Sequence, residues 1–327
     1  MIRGSLKSFL KIHANPQAKY SAEILSKYFG LYLDLILEIL NIMTLRSFRF
    51  LLLFSLLLCS NILHAKPISI QVSEKIIASA DYLTGEPGKP ILIFIHGFLQ
   101  TRDFSTVNRL SEALNDSGFP VLSPTLSLGI SSRKKALACE SIHLHSLSND
   151  TDEIEKWVNW ASQQGYKEIV LVGHSAGSVN ITAYLARRIH RDVSKTILIS
   201  LSHYGPNRSA AFETEKHATT ARNMLKNSDA GLHKFALAFC KQYLSPAADF
   251  LSYYDWSGEK ILRAINTGFS KNFIIIGSKD ERIGEQWINA LKRARAKVIT
   301  IDGANHFFDQ SHEFDLLDQV ENILTTN

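Results

Sequence analysis

Short, continuous apolar runs alternate with amphipathic segments through most of this chain. Residues 90–95 read PILIFI and residues 168–173 read EIVLVG, and each run precedes a stretch with apolar residues at helical spacing. A run that is apolar throughout is what a strand needs when both faces of its sheet are covered. Repeated strand–helix alternation builds a mostly parallel sheet with helices on both faces. The sequence therefore predicts an α/β fold.

Further segments of both kinds complete this pattern. Strands are predicted over residues 119–125, 195–201, 272–277 and 297–301, with a leading edge hairpin over residues 68–84. Helices are predicted over residues 104–114, 150–163, 176–190, 283–295 and 314–324. The helix over residues 150–163 has an approximate capping box at its start, Asp150 and Glu153. Residues 66–327 therefore form one predicted domain.

Residues 203–270 interrupt the alternation. They are rich in helix formers and aromatic residues and lie between two predicted strands. A segment placed in this way is an insertion into the domain and not a domain of its own. We interpret it as a helical cap, in which most of the aromatic side chains form the cap's own core.

The N-terminal residues carry a leader pattern. Residues 51–58 read LLLFSLLL, follow Arg46 and Arg49, and precede a small residue, Ala65. This order of basic, apolar and small-residue regions is typical of a secretory signal peptide, and the apolar run is too short to span a bilayer. We interpret residues 43–65 as a signal peptide cleaved after about Ala65. The mature protein is then expected to be periplasmic or secreted, with no stable membrane span.

Residues 1–42 do not fit a signal peptide. Asp34 and Glu38 interrupt their apolar stretch, which also argues against a membrane span. We expect translation to begin at Met43, which makes residues 1–42 a spurious or non-structural extension. The alternative is a start at Met1, with an amphipathic helix that lies on a membrane or a partner.

The formal net charge of +5 gives no argument for a nucleic-acid partner. Residues 1–65 contain 7 basic and 3 acidic side chains, which leaves 29 basic against 28 acidic side chains in the rest of the chain. No stripe of Lys and Arg interleaved with aromatic residues is present. We therefore expect no nucleic acid among the partners of this protein.

The motif Gly173-His174-Ser175-Ala176-Gly177 joins a predicted buried strand to a predicted amphipathic helix. A G-x-S-x-G pattern in this context is typical of a serine nucleophile, because the tight turn lifts the hydroxyl above the sheet. Glycines are needed where the strand and the helix pass close together, and the helix N-terminus favours negative charge. We therefore predict that Ser175 is a nucleophile.

A serine nucleophile needs a base, and the base needs an orienting carboxylate. Asp280 follows the strand predicted over residues 272–277, and His306 follows the strand predicted over residues 297–301. Both loops leave the carboxyl edge of a parallel sheet, where the sites of open α/β folds form. Glu281 is also a carboxylate, but it lies one residue further from the strand end. We predict His306 as the base and Asp280 as the acid.

The chain order of Ser175, Asp280 and His306 is that of α/β-hydrolases. The resemblance to the α/β-hydrolase superfamily covers residues 75–327, and its motifs are specific for the fold and the triad but not for the substrate. Within the superfamily the chain looks like a small carboxylesterase or a lipase-like hydrolase. The resemblance implies an α/β-hydrolase fold with a mostly parallel central sheet and an inserted cap.

The sequence His96-Gly97-Phe98 follows an early strand and resembles the HG motif of the same superfamily. This resemblance implies an oxyanion hole formed by the backbone N–H groups of Phe98 and Ala176, with His96 supporting the loop. Each such donor contributes about 2.7–4 kcal/mol to the tetrahedral intermediate in comparable enzymes.

We therefore expect a serine hydrolase that cleaves a small-molecule or lipid ester through an acyl-enzyme on Ser175, with no metal or organic cofactor. The cap is expected to roof Ser175 and form the acyl pocket, which includes Phe239 and Trp256. An acyltransferase or a peptidase would use the same triad, and a non-catalytic binding protein of the same fold is the alternative from another class. The acyl group, the alcohol and the oligomeric state stay open.

Two cysteines remain after the predicted leader, Cys139 and Cys240. Both segments are expected above the carboxyl edge of the sheet, so the two residues form either a disulfide in an oxidising compartment or two buried free thiols. His143 and His145 stand near Cys139, but a zinc site would need further ligands. We interpret both histidines as ordinary loop residues.

Overall fold

The alternating segments form one large sheet flanked by helices in the computed structural model, which describes residues 66–205 and 214–326. The strands are β1 (Lys66–Ser73), β2 (Ile76–Leu83), β3 (Ile91–Ile95), β4 (Val121–Thr125), β5 (Ile169–His174), β6 (Val193–Ile199), β7 (Leu232–Leu237), β8 (Cys240–Pro246), β9 (Asn272–Gly277) and β10 (Lys297–Ile301). The helices are α1 (Ser105–Asp116), α2 (Leu147–Gln163), α3 (Ala176–Arg187), α4 (Thr214–Lys226), α5 (Ala247–Tyr254), α6 (Gly258–Thr267), α7 (Glu285–Leu291) and α8 (His312–Thr325). The predicted leader and the extension before it lie outside the described residues.

Eight strands form the main sheet in the order β1-β2-β4-β3-β5-β6-β9-β10. The six strands from β4 to β10 in this order are parallel to one another, whereas β1 and β2 pair antiparallel at one edge. The predicted α/β fold and the leading hairpin are therefore confirmed. Because the six central strands are parallel, the loops that follow them leave the same edge of the sheet.

Strand β3 is apolar throughout because each of its faces is covered by a separate helical layer. In β3, the side chains of Ile91, Ile93 and Ile95 belong to the core shared with α2, α3 and α7. Leu92 and Phe94 point the other way, into the core shared with α1 and α8. This alternation follows from the two-residue period of a strand.

Helix α2 begins three residues before the predicted start. Ser146 is its N-cap and forms a capping box with Asn149, because its hydroxyl accepts from the Asn149 N–H at 3.2 Å and Asn149 Oδ1 accepts from the Ser146 N–H at 3.0 Å. The predicted capping residues, Asp150 and Glu153, are buried within the helix. Glu153 accepts hydrogen bonds from the N–H and the hydroxyl of Ser127. The predicted capping box is therefore wrong, because both of its residues lie inside the helix and Ser146 with Asn149 caps it instead.

The predicted insertion lies between β6 and β9 and contains helices α4, α5 and α6. It also contains a two-stranded antiparallel sheet, β7 with β8, which the sequence analysis did not predict. Leu237 pairs with Cys240, so Ala238 and Phe239 form the turn, and Ala238 has a φ of 53°. Two-residue hairpin turns usually carry Asn-Gly or Asp-Gly, and the absence of such a signal hid this hairpin.

No helix in the described part of the chain is both long and apolar enough to cross a membrane.

Candidate active site

Ser175 lies in the turn between β5 and α3 with φ 55° and ψ −117°. A backbone conformation of this kind costs about 1–3 kcal/mol and recurs at functional sites. A Cβ atom on Gly173 would lie 2.6 Å from the Ser178 nitrogen, and one on Gly177 would lie 2.1 Å from the Ile95 carbonyl oxygen. Both glycines of the motif are therefore required by close packing around the turn.

Hydrogen bonds fasten this turn to the neighbouring strand. The Ser175 N–H donates to the Ile199 carbonyl oxygen at 2.8 Å. The Ser178 hydroxyl, to which the sequence analysis gave no role, donates to the carbonyl oxygens of Gly173 at 2.8 Å and Ile199 at 3.0 Å. The start of α3 is thus tied to both β5 and β6, which fixes the position of Ser175.

The structure brings together the three residues predicted as a triad, although 131 positions separate the first from the last. His306 Nε2 lies 2.9 Å from Ser175 Oγ. His306 Nδ1 lies 2.8 Å from Asp280 Oδ2 and 3.0 Å from Asp280 Oδ1. A carboxylate can only accept, so Nδ1 carries the proton and Nε2 is free to accept one from the serine hydroxyl. The arrangement can therefore generate a serine nucleophile.

Asp280 is 3% exposed and lies in the turn that follows β9. Its Oδ1 accepts from the N–H groups of Arg282 at 3.1 Å and Ile283 at 3.3 Å, which fixes the carboxylate toward His306. Glu281, the neighbouring carboxylate, is exposed. The strand-end argument thus selected the carboxylate that contacts the histidine.

The main chain of His306 is held by two donors that the sequence analysis missed. His174 Nε2 and Ser200 Oγ each lie 3.0 Å from the His306 carbonyl oxygen. Because a carbonyl only accepts, His174 carries its proton on Nε2. Burial lowers the pKa of His174 to about 4, so its ring is neutral near pH 7. The sequence marks these two donors only by their position at strand ends, since His174 ends β5 and Ser200 directly follows β6.

Phe98 and Ala176, the residues expected to form an oxyanion hole, line the same small cavity of about 10 Å³. Within the described residues, neither of their N–H groups donates to a carbonyl oxygen of a turn or loop. Ala176 is the first residue of α3, where an N–H has no partner inside the helix. Both donors are therefore available to a ligand oxygen near Ser175.

Aromatic side chains of the insertion surround the Phe98 ring. The ring centroids of Tyr243 and Phe239 lie 5.7 Å from that of Phe98, those of Tyr204 and Tyr253 lie 5.9 and 6.3 Å away, and all but Tyr243 pack edge to face. Such pairs are worth about 0.5–1.5 kcal/mol each beyond the area they bury. The insertion is thus packed directly on the predicted oxyanion loop.

Trp256, which the sequence analysis placed in an acyl pocket, lines a different region. It borders a groove of about 440 Å³ together with Leu147, Ala183 and Lys260, and the Lys260 ammonium lies 4.4 Å from its ring centroid. None of the triad residues lines this groove. Of the two aromatic residues expected beside the site, only Phe239 contacts the oxyanion loop.

A buried polar cluster joins the insertion to α2. The Tyr253 hydroxyl donates to Asp150 Oδ2 at 2.6 Å and lies 2.6 Å from His145 Nδ1, while the Tyr243 hydroxyl lies 3.3 Å from His145 Nε2. His143 stacks on the Tyr243 ring at 4.1 Å. Both histidines lie in the loop before α2, as predicted, and both are buried there. In the described part of the chain, no group of three His, Cys, Asp or Glu side chains is placed to hold a metal ion.

Cys139 and Cys240 are joined by a disulfide, with their Cα atoms 5.3 Å apart. Of the two alternatives that the sequence left open, the structure has the bridge. It connects the loop that follows β4 to the first residue of β8. The neighbouring residue Phe239 contacts Phe98, so the bridge lies close to the oxyanion loop.

Comparison with known proteins identifies the family. The model of the alpha/beta hydrolase family matches residues 92–318, which is more than half of the chain and includes Ser175, Asp280 and His306. The chain belongs to the alpha/beta hydrolase family. No curated protein matches it.

Solved structures show the same fold at low sequence identity. Est1E from Butyrivibrio proteoclasticus is 18% identical with a TM-score of 0.56, and the alignment covers 79% of this chain and 97% of that one. The alpha/beta hydrolase GrgF from Penicillium sp. sh18 is 12% identical with a TM-score of 0.60, covering 80% and 98%. A monoacylglycerol lipase from Paleococcus ferrophilus is 14% identical with a TM-score of 0.56, covering 76% and 98%.

Proposed function

We propose that this protein is a serine hydrolase that cleaves a carboxylic ester through an acyl-enzyme on Ser175. The observation that carries the proposal is the continuous chain of contacts from Ser175 Oγ to His306 Nε2 and from His306 Nδ1 to Asp280. This chain ends at a serine in a strained turn, beside two free N–H groups. Ser175 is the proposed nucleophile, His306 the base and Asp280 the orienting acid, and the N–H groups of Phe98 and Ala176 are the proposed oxyanion donors.

The proposed reaction has two steps. Ser175 Oγ attacks the ester carbonyl while His306 Nε2 takes the hydroxyl proton, and the oxyanion is stabilised by the N–H groups of Phe98 and Ala176. His306 then gives its proton to the leaving alcohol, and the acyl-enzyme remains on Ser175. A water molecule then attacks the acyl carbonyl while His306 takes its proton, and His306 returns that proton to Ser175 Oγ as the bond to the acyl group breaks and the carboxylic acid leaves. Asp280 holds the imidazole in the productive tautomer and stabilises the imidazolium in both steps.

The named relatives support ester chemistry. The structures with the same fold include a monoacylglycerol lipase, a thioesterase domain and Est1E with ferulic acid bound. At identities of 14–20% these structures show the shared fold alone, so the chemistry proposed for this chain rests on the geometry of its own site. The names of these three proteins agree with a reaction in which an acyl group passes from a serine to water.

Covalent labelling tests the proposal directly. A fluorophosphonate probe should label the wild-type protein at Ser175 and leave Ser175→Ala unlabelled, and p-nitrophenyl esters should be hydrolysed by the wild type alone. Product analysis with a competing alcohol or amine distinguishes hydrolysis from acyl transfer, and a peptide substrate tests for a peptidase. Absence of both labelling and turnover would indicate a binding protein and overturn the proposal.

We also propose that the chain is exported and that its mature form begins near Lys66. The support is the order of basic, apolar and small residues within residues 43–65. A disulfide is the form expected of two cysteines in an oxidising compartment. Mass spectrometry of the protein from a periplasmic or culture fraction should find Lys66 at the N-terminus, and an intact residue 43 or 1 would contradict cleavage.

A further inference from the structure

A buried arginine contacts the predicted oxyanion loop, residues 96–100, from behind. Arg133 is 4% exposed, although arginine is among the residues least often buried. Its Nε donates to the Leu126 carbonyl oxygen at 2.7 Å and its Nη1 to the Lys135 carbonyl oxygen at 2.8 Å. Its Nη2 donates to the Gln100 carbonyl oxygen at 2.7 Å. One planar guanidinium thus connects the loop after β3 to the loop after β4.

The same nitrogen of Arg133 also reaches the histidine of the loop. Nη2 lies 3.1 Å from His96 Nε2, which also accepts the Leu126 N–H at 3.0 Å. Both groups are donors, so Nε2 is unprotonated and the ring proton is on Nδ1. The Nδ1–H then donates to the Gly97 carbonyl oxygen at 2.9 Å. Arg133 and the Leu126 N–H together therefore hold His96 in the tautomer that donates to the peptide group preceding Phe98.

The electrostatics of this pair are self-consistent. Burial and, second to it, the charge of Arg133 lower the pKa of His96 to about 3. Burial lowers the pKa of Arg133 to about 10, which leaves the guanidinium charged at neutral pH. A charged donor against a neutral acceptor is the stronger kind of hydrogen bond. The network is therefore complete over the pH range in which a histidine base works.

The loop needs such support because its backbone is not held by the sheet. Strand pairing of β3 with β5 ends at Ile95, and Leu99 has a φ of 59°. Besides Arg133, the loop is held to the same segment by the Leu137 N–H, which donates to the Leu99 carbonyl oxygen at 2.9 Å. An oxyanion donor must be aimed to within a few tenths of an ångström, because fixed dipoles stabilise the transition state only when they need not reorganise.

We propose that Arg133 is a positioning residue that aims the Phe98 N–H at the oxyanion, through the Gln100 carbonyl oxygen and through His96. The inference depends on the function proposed above and adds a residue that lies outside every catalytic motif. Arg133 does not touch the substrate in this proposal. Its loss should therefore lower transition-state stabilisation and leave ground-state binding of the ester nearly unchanged.

The test compares Arg133→Ala with Arg102→Ala on a p-nitrophenyl ester. Arg102 donates to Asp81 at 2.7 Å and to Thr125 and Ser79, so the hydrogen bonds of its side chain go to β2 and β4 and not to residues 96–100. We expect Arg133→Ala to lower kcat about ten- to a hundredfold at nearly constant KM, a fraction of the loss seen when a whole oxyanion donor is removed. Arg102→Ala should retain kcat within about threefold.

Further measurements distinguish a misaligned Phe98 N–H from a general loss of stability in Arg133→Ala. A trifluoromethyl ketone, which forms a tetrahedral adduct on the serine, should bind Arg133→Ala more weakly by the same factor as kcat falls. Added guanidinium at tens of millimolar should restore part of the activity of Arg133→Ala, and urea at the same concentration should not. Arg133→Lys keeps the charge but loses the planar fork, so it should fold and show an intermediate kcat.

Three results would overturn the proposal. One is wild-type kcat in Arg133→Ala or Arg133→Lys. Another is an equal loss in Arg102→Ala, and the third is a loss of kcat with unchanged affinity for the ketone. Failure of the proposed function is a separate result, because then the wild-type protein itself would neither turn over esters nor react with the fluorophosphonate.

Discussion

The Cys139–Cys240 disulfide and the Phe98–Phe239 ring contact both hold the β7–β8 hairpin to the main domain, the disulfide through the loop after β4 and the ring contact through the loop after β3. The disulfide closes a sequence separation of 101 residues, and the Phe239 ring lies 5.7 Å from that of Phe98. The residue whose N–H we assign to the oxyanion hole is therefore in contact with a hairpin that is covalently fixed to the main domain. We therefore expect loss of the disulfide to affect both stability and turnover.

Removal of the disulfide should reduce both stability and turnover. A loop of about 100 residues is worth up to ~4.7 kcal/mol in the chain-entropy model, and commonly less in practice. The double variant Cys139→Ser/Cys240→Ser should therefore lose about 2–4 kcal/mol of unfolding free energy in urea titrations. It should also lose kcat, because the β7–β8 hairpin no longer holds Phe98. Dithiothreitol should reproduce these losses in the wild type and have no effect on the double variant.

Substitution of the three contacting residues should remove activity without additivity. Ser175→Ala, His306→Ala and Asp280→Asn should each lower kcat by about 10³-fold or more with little change in KM, because these residues act as a unit. A double variant should be close to the worse of its two single variants. Glu281→Gln is the matched control, because its side chain is exposed, and it should retain wild-type kcat. A large loss in Glu281→Gln with full activity in Asp280→Asn would reverse the assignment.

Glu153 should make the protein less stable as the pH rises. Burial raises its pKa from the ordinary value of 4.5 to about 7, so the folded state keeps a proton that the unfolded state has lost. The contribution of this proton to the free energy of unfolding is fully present below pH 4.5. It declines by about 3 kcal/mol as the pH rises to 7, by the linkage relation. Glu153→Gln removes this titration. Urea unfolding at pH 5 and pH 7.5 should therefore show Glu153→Gln gaining stability relative to the wild type with rising pH.

Glu153→Gln must be compared with the wild type at each pH, because buried histidines change the stability of the fold with pH in the opposite direction. Burial lowers the pKa of His174 and His143 to about 4, so the folded state takes up fewer protons than the unfolded state below pH 6.5. Their contribution to stability is lost as the pH falls from 6.5 toward 4. The difference between Glu153→Gln and the wild type cancels this shared contribution. A difference that does not change with pH would contradict the raised pKa of Glu153.

Short acyl groups should be preferred. We expect the acyl group to enter the cavity lined by the two proposed oxyanion residues, Phe98 and Ala176, whose volume of about 10 Å³ leaves room for about one methyl group or one water. Acetyl and propionyl esters of p-nitrophenol should therefore have higher kcat/KM than octanoyl esters. Leu128→Ala, which enlarges this cavity, should shift the preference toward longer acyl groups, with each added methylene worth about 1–3 kcal/mol.

Trp256→Ala is the control for this prediction, because Trp256 lines the separate groove beside α6. Its chain-length profile should match that of the wild type. The assignment of the acyl group to the cavity beside Phe98 would be wrong if kcat/KM rose with acyl length in the wild type. It would also be wrong if the profile changed in Trp256→Ala and not in Leu128→Ala.

The sequence by itself determined the sheet and the three residues that the fold brings into contact, Ser175, Asp280 and His306. Buried parallel strands need continuous apolar runs, so their positions are visible without tertiary information. A serine between two glycines at a strand–helix junction has a local geometric reason, which the close contacts of Gly173 and Gly177 bear out. Asp280 and His306 were predictable because parallel topology brings strand ends to one edge.

Only the tertiary structure decided the rest. The turn of Ala238 and Phe239 has no local signature, so the hairpin exists because its aromatic residues pack on Phe98 and its Cys240 meets Cys139. Arg133 is an ordinary loop arginine in the sequence. Its role depends on hydrogen bonds to carbonyl oxygens, which every residue carries and which no sequence pattern marks. Contacts of side chains with distant main-chain groups become visible only when the chain has folded.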